Sequence, residues 1–423
     1  MQTNLPPEFI ATSRGQRADE ILRSCVHCGF CNATCPTYQI SGDELDGPRG
    51  RIYLIKELLE EGTNKARATQ HLDRCLTCRA CETTCPSGVA YGELAEIARE
   101  ELGPTRPGVT GLMRVFLQWL IPNHRILRTM SYVGRYFKWL LPKPLASQVP
   151  SQISKTLSSQ PSQSAHARKI LLLQGCAQQV TTGDVNKSLV SLLDAHGIGV
   201  VTAPEEDCCG SLDLHLGDSA KANAAIRRNV DALLPLLQGR REGGVDAAEG
   251  AEGAEGAEGV EGVECIISTA SGCGVTVKDY ARILADDPKY ADRAKVLSAK
   301  TYDISEYLSQ ANLPLTAKQP GQAIAWHPPC SLQHGQKITG VVESLLENAG
   351  YTLVPVADSH LCCGSAGTYS VLQYERGEAL KKLKLDSLLA ADPQVIVTAN
   401  VGCQSHLATG TSHPVLHWIE MLK

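Results

Sequence analysis

Apolar and polar positions follow two different rhythms along this chain. Up to about residue 103 the apolar residues recur at helical spacing. A charged stretch spans 13–24, and a second carries Ile52, Ile55, Leu58 and Leu59 on one face until Gly62 stops it. A short segment follows around Thr69–Arg74, then another over about Tyr91–Leu102 that ends at Gly103-Pro104. From Ile170 the rhythm changes to short, continuous apolar runs between helical stretches, as expected of strands buried on both faces. Ile170–Leu173 leads to Gly175-Cys176, and Ala323–Trp326 leads to Pro329-Cys330. Each run predicts a strand followed by a helix (Asn186–His196; Gly340–Ala349) and a second strand (Gly199–Val201; Thr352–Val354). Each copy then reaches a Cys-Cys-Gly triplet, Cys208-Cys209-Gly210 and Cys362-Cys363-Gly364. After a further helix comes a strand ending in cysteine, Ile266–Cys273 in one copy and Val395–Cys403 in the other.

The step from single cysteine to triplet is 32 positions in both copies, whereas the step from triplet to last cysteine is 64 against 40. Gly239–Gly262 accounts for the difference of 24. It contains the Ala-Glu-Gly repeats of Ala248–Gly259, a glycine-rich acidic tract expected to be disordered. The second half is therefore an internal duplication of an α/β unit. In such sheets, ligands sit at the carboxyl ends of the strands. The expected organisation is multidomain: a helical domain over 1–103, a basic aromatic helical segment over 104–149 and a linker over 150–169. Two α/β repeats follow over 170–312 (insertion 239–262) and 313–423.

Charge changes this picture in two places. The net charge of −5 gives no electrostatic support to a nucleic-acid partner. Glu242–Glu264 holds eight acids and no base, so the remainder sums to +3. Pro104–Val149 has seven Lys/Arg, no acid, and Phe116, Trp119, Tyr132, Tyr136, Phe137 and Trp139. Basic, aromatic and amphipathic together, it is expected to lie on an anionic membrane surface or dock a partner. No apolar run is long enough to span a membrane, and the N-terminus does not read as a signal peptide. The expectation is a cytoplasmic protein, peripherally associated with the inner face of the membrane.

Seventeen cysteines dominate the candidate chemistry. Cys25, Cys28, Cys31 and Cys35 precede Pro36, and Cys75, Cys78, Cys81 and Cys85 precede Pro86, so C-x2-C-x2-C-x3-C-P occurs twice. This is the pattern of bacterial two-cluster ferredoxins. Three thiolates at x2 spacing can wrap one cubane, and the fourth lies too far along to close it. It crosses to the other cluster. The expected ligand sets are Cys25, Cys28, Cys31 and Cys85 for one [4Fe-4S] cluster, and Cys75, Cys78, Cys81 and Cys35 for the other. Zinc would leave the third cysteine and the trailing proline of each run unexplained. The 39 residues between Cys35 and Cys75 look helical, which favours a helical ferredoxin domain over the small β-rich kind.

The repeats offer Cys176, Cys208, Cys209 and Cys273, then Cys330, Cys362, Cys363 and Cys403, as candidate ligands of further iron–sulfur clusters, of zinc, or as redox-active thiols. Cys265 remains as a structural thiol. His27 reads as a solvent-facing neighbour of the first run.

The two ferredoxin runs followed by two Cys-Cys-Gly repeats resemble the iron–sulfur subunits of glycolate oxidase. The resemblance is closest at Ser24–Cys31, Gly42–Leu54 and His71–Gly88. It implies a subunit whose flavoprotein partners, carrying FAD, oxidise glycolate to glyoxylate while this chain passes electrons toward a membrane quinone. Subunits of lactate and glycerol-3-phosphate dehydrogenases share the arrangement and are the alternative reading, as is a thiol catalyst of the heterodisulfide reductase type. That last type carries a further cysteine where Ala270 and Asn400 stand here, which argues against noncubane disulfide chemistry. The sequence shows no GxGxxG or P-loop to hold a flavin or nucleotide. Removing a hydride from a hydroxy acid needs a two-electron cofactor, so no substrate oxidation is expected of this chain alone.

Overall fold

The computed structural model describes residues 1–150, 153–154, 166–239 and 262–423. Its N-terminal part is helical throughout. Helix Ser13–Ser24 is capped by Thr12, whose side chain accepts from the Gly15 N–H. Helix Pro48–Glu61 starts with proline at its first position and ends at Gly62 in a left-handed turn (φ 65°). It turns Ile52, Leu54, Ile55, Leu58 and Leu59 into a core shared with Ile21, Leu22, Leu72 and Leu94. Burying each such side chain stabilises the fold by about 1.5–3 kcal/mol. Helices Lys65–Asp73 and Tyr91–Leu102 complete the domain, the first beginning four residues earlier than its apolar pattern predicts.

The second half holds two parallel sheets of the same topology. The first comprises β1 (Arg168–Leu173), β2 (Ile198–Val201), β3 (Ile266–Ser268) and β4 (Thr301–Asp303), in spatial order β2-β1-β3-β4. The second repeats the order as β6-β5-β7-β8, with β5 (Ala323–His327), β6 (Thr352–Leu353), β7 (Val395–Thr398) and β8 (Val415–His417). The fourth strand of each sheet goes beyond the pattern read from the sequence. At three residues with polar Thr301, Asp303 and His417 it has no apolar run to announce it. Each fourth strand runs directly into a capping box, Asp303 with Glu306 and His417 with Glu420. The third strands also end earlier than expected. Cys273 and Cys403 lie in the first turns of helices Ser271–Lys278 and Val401–Ala408 rather than at strand ends.

The repeats share one core. Ile170, Leu172 and Ile267 of the first sheet and Ile324, Trp326, Val395 and Val397 of the second belong to a single buried cluster. His417 Nε2 meets the Thr269 carbonyl across the junction at 2.8 Å. The expected linker and acidic insertion fall largely outside the described residues. The chain departs near Gly239 and returns at Gly262 beside it, with the Val263 N–H bonded to the Leu236 carbonyl at 3.3 Å.

Asp46 joins the helical domain to the second repeat. It is fully buried and receives His71 Nδ1 at 2.8 Å, Arg376 at 3.1 Å and Arg74 at 3.3 Å, with Arg51 at 3.8 Å. Burial alone would raise its pKa. The His71 hydrogen bond and the charges of Arg376, Arg51 and Arg74 outweigh that and hold it below the usual value. The carboxylate's contribution to stability is therefore present above about pH 4 and lost as pH falls through the lowered pKa. Asp46→Asn should cost about 3–5 kcal/mol in urea unfolding, because it strands buried guanidinium charge, and should flatten the acid limb of stability. An unchanged midpoint at neutral pH would show that the junction does not depend on this carboxylate.

Candidate metal and electron-transfer centres

The two cysteine runs follow the same backbone path. The residues two and four positions after the first cysteine adopt left-handed conformations in both, His27 (φ 54°) and Gly29 (φ 85°), then Thr77 (φ 53°) and Arg79 (φ 60°). These reversals curl each loop around its thiols, and a short helix follows, Phe30–Ala33 or Ala80–Thr84. The two short helices pack on one another. Each places its trailing cysteine beside the other run. One small cavity of about 20 Å³ is lined by Cys25, Cys28, Cys31, Cys81 and Cys85. A second, also about 20 Å³, is lined by Cys35, Cys75, Cys78 and Cys81. All eight are free thiols.

The surroundings suit sulfur-bound iron. Arg51 is 1% exposed and approaches Cys35 Sγ (4.0 Å) while bonding Thr37 and the His71 carbonyl. Tyr91 Oη and the Thr77 N–H donate to Cys75 Sγ at 3.5 and 3.4 Å. Arg99 ties the second loop down through Thr77 Oγ1 and the Leu72 and Cys75 carbonyls. Burial pushes the Cys75 thiol up, but the charges of Arg51 and Arg99 and the Tyr91 hydroxyl bring it below its ordinary value. Cys78 and Cys81, without such partners, are pushed well up by burial and by neighbouring thiols. All-thiol donor sets wrapped by loops, with buried cations and donors aimed at sulfur, fit iron–sulfur groups in this domain.

The first cavity is at the surface, where Cys28 is exposed among exposed Val26, Phe30 and Tyr53. The second faces inward. Cys78 packs in one apolar cluster with Cys330 and Cys362 of the second repeat.

In the repeats, adjacent cysteines turn to different partners. Cys208 Sγ lies 3.7 Å from Cys176 Sγ, and Cys362 lies 3.9 Å from Cys330. Cys363 reaches Cys403 at 3.2 Å, and Cys209 and Cys273 line the same cavity in the first repeat. All eight line a single cavity of about 470 Å³ that also touches Leu76, Cys78 and Arg79. Asn400, in place of a further cysteine, bridges the repeats by accepting from the Gly272 N–H (3.1 Å) and donating toward Cys403 Sγ (3.7 Å). Cys265 is buried in the shared core. Near Cys176, the Glu206 carboxylate accepts the N–H groups of Gln174 and Gly175 (2.8 and 2.9 Å), and burial pushes its pKa up to about 7.

Helices Gly108–Leu120 and His124–Tyr136 roof this cavity. The structure corrects one part of the reading of this segment: three of its basic residues are structural, Arg128 among them through the Gln179 carbonyl at 3.0 Å. Arg106 and Arg114 turn inward to Asp73 (2.8 and 3.1 Å), and Arg114 also bonds the Leu216 carbonyl. Apolar residues lie on both sides of the pair: Phe116, Leu117 and Leu120 line the cavity, while Val109, Leu112, Val115, Trp119, Tyr136 and Trp139 are exposed. Sequence reasoning also passed over Arg51, Glu206, Lys384 and His327. The His327-Pro328-Pro329-Cys330 run was the available signal for His327, though a lone histidine usually reads as core.

A helical domain with two four-thiol sets, docked on a duplicated parallel-sheet domain carrying two more, defines an iron–sulfur protein built to move electrons. Residues 21–89 match the family model of a 4Fe-4S dicluster domain, and residues 170–278 and 324–408 match that of a cysteine-rich domain. The chain is 42% identical to the glycolate oxidase iron-sulfur subunit of Escherichia coli K12, covering 100% of this chain and 98% of that protein. It is 29% identical to the probable glycolate oxidase iron-sulfur subunit of Bacillus subtilis 168, over 97% and 94%. A crystal structure of a hypothetical protein from Helicobacter pylori shares the fold, with TM-score 0.53 and 10% identity over 98% of this chain and 72% of that one. The chain belongs to the family of glycolate oxidase iron–sulfur subunits.

The sulfur geometry sets which thiols can join. After metal removal and mild oxidation, peptide mapping should find Cys363–Cys403 and Cys330–Cys362 bridges, and Cys176–Cys208 in the first repeat. Predominant bridging of the adjacent Cys362 and Cys363 would contradict the observed side-chain directions.

Proposed function

We propose that this chain is the electron-transfer subunit of a glycolate-oxidising complex. Electrons leave flavoprotein partners at the exposed Cys28 face and pass inward toward a quinone held at the membrane surface. The observation that carries the reading is the unbroken succession of thiol sets. It runs from the surface at Cys28, through the inward-facing set around Cys78, to the cavity wall at Cys330 and Cys362. Cys25, Cys28, Cys31 and Cys85 hold one [4Fe-4S] cluster, and Cys75, Cys78, Cys81 and Cys35 the other. Bound there, each supplies one-electron redox chemistry. The chain's own part is to fix these groups near one another, neutralise their charge with Arg51 and Arg99, and present the entry and exit faces. The eight thiols of the repeats form a further metal or thiol layer on the same route.

Val26, Phe30 and Tyr53 give the entry face the exposed apolar character of a docking surface. At the other end, no helix of the described residues is long and apolar enough to cross a membrane. The exposed apolar residues of Gly108–Leu120 and His124–Tyr136, with exposed Arg125, Arg135, Lys138 and Lys143 around Trp119, Tyr136 and Trp139, suit an anionic lipid interface instead. The cavity beneath it is lined by Phe116, Leu120, Met130, Phe137 and Leu145 and reaches the repeat cysteines, a setting for a quinone ring.

EPR of anaerobically prepared protein tests the ligand sets. Cys85→Ala and Cys28→Ala should perturb one signal, Cys35→Ala and Cys78→Ala the other. Loss of the same signal from Cys85→Ala and Cys78→Ala would overturn the crossing. The purified chain should show no glycolate oxidation until flavoprotein subunits are added, and turnover by the chain alone would refute the electron-carrier role. Cosedimentation with vesicles rich in anionic lipid should fall at least about tenfold in a Trp119→Ser/Trp139→Ser variant, each buried indole being worth more than about 1.4 kcal/mol. Equal binding by the variant would remove the membrane assignment.

A further inference from the structure

The two repeats share a backbone yet differ in chemistry at matched positions. Leu173 closes β1 three residues before Cys176 and packs with Val230 in an apolar cluster. The matching positions 154 residues further on, the same offset that relates Cys176 to Cys330, hold His327 and Lys384. Both are buried, at 0% and 3% exposure. His327 closes β5 behind the wall that Cys363 and Cys403 give the large cavity. Neither of its ring nitrogens has a hydrogen-bond partner. An orphaned buried polar atom is costly to leave unpaired, so an imidazole placed where its counterpart is leucine needs a reason.

The neighbouring thiols supply one. A ring nitrogen of His327 and the Sγ atoms of Cys363 and Cys403 all lie within 4.8 Å of one another, all from buried residues. Metal bonds of about 2.0–2.1 Å to nitrogen and about 2.3 Å to sulfur hold tetrahedral donors at roughly this spacing. Lys384 donates to the carbonyls of Asp358 and Ser359 (2.8 and 3.2 Å) and places its charge toward Cys362, Cys363 and Cys403. It can balance thiolate beyond the two that a dication neutralises.

We propose that the second repeat holds a single tetrahedral divalent cation, bound by His327, Cys363 and Cys403, with its fourth position on the cavity side near Cys330 and Cys362. Zinc is the metal such a mixed nitrogen–sulfur set suits best. Leu173 leaves the first repeat with thiols alone, so the duplicated halves have separate chemistries. The inference deepens the reading of the repeats as a metal or thiol layer and does not depend on the ferredoxin ligand sets.

The full-length protein, prepared anaerobically and dialysed against a mild chelator, should retain one zinc per chain beside its iron. Zinc-edge absorption should show nitrogen together with sulfur in the first shell. His327→Leu, which installs the residue of the first repeat, should lower retained zinc at least about tenfold while leaving the iron content and the EPR of the helical domain unchanged. His327→Cys should restore zinc with a sulfur-only shell, which separates ligation from a packing role. Equal zinc retention in His327→Leu, a sulfur-only shell in the unaltered protein, or extra iron with no zinc would each overturn the inference. Loss of the helical-domain EPR in the unaltered protein would instead count against the proposed function.

Discussion

Ionised sulfur cannot be buried without buried positive charge, and that constraint organises this molecule. Thiolates gathered around metal carry net negative charge into a low-dielectric interior, where an uncompensated charge is costly. Arg51 answers it for the inward-facing set, from a helix whose other buried residues are mainly apolar. A guanidinium so deep needs support on its remaining sides, and the His71 carbonyl, Thr37 and Asp46 surround it. Asp46 then has room for a further cation, and Arg376 arrives from the second repeat. A requirement local to sulfur thereby becomes the contact that fixes one domain against another.

Much of the fold was legible in the chain, for reasons that can be named. Helical spacing around Ile52–Leu59 and the buried runs at Ile170 and Ala323 reflect periods that burial imposes on sequence, and the structure has the corresponding elements. The fourth strands were not legible because three residues flanked by a capping box carry no period. The segment over 104–149 shows a different limit. Amphipathicity revealed two faces but not which would turn inward. That depended on Asp73 waiting in the helical domain to receive Arg106 and Arg114, a contact with no local trace. At the candidate centres the spacing of cysteines named the thiols. Which member of each Cys-Cys pair would meet which partner is set by the turn at Gly210 and Gly364, both left-handed (φ 85° and 88°), and so by three-dimensional path.

Duplication has given this protein a scaffold on which one half can diverge. The strand order, the capping boxes after the fourth strands and the Cys176–Cys208 and Cys330–Cys362 approaches are held in common, while Leu173 and Val230 stand where the second repeat has His327 and Lys384. Asn400, with no counterpart side chain at Ala270, crosses from one half to the backbone of the other. The halves are alike where they pack and differ in the side chains beside their matched cysteines, as expected when function resides in a site carried by a fold.

The shared core and the Arg376 contact also impose an order of assembly. The second repeat lies far along the chain from the helical domain, yet it supplies Cys330 and Cys362 as neighbours of Cys78 and covers that side of the inward-facing thiols. Iron and sulfide delivered to those thiols must arrive while the C-terminal repeat is still undocked, or the finished molecule must open to admit them. Loading of the inward-facing thiols is thus tied to the docking of the second repeat, because the contact that fixes the two domains also closes that side of the site.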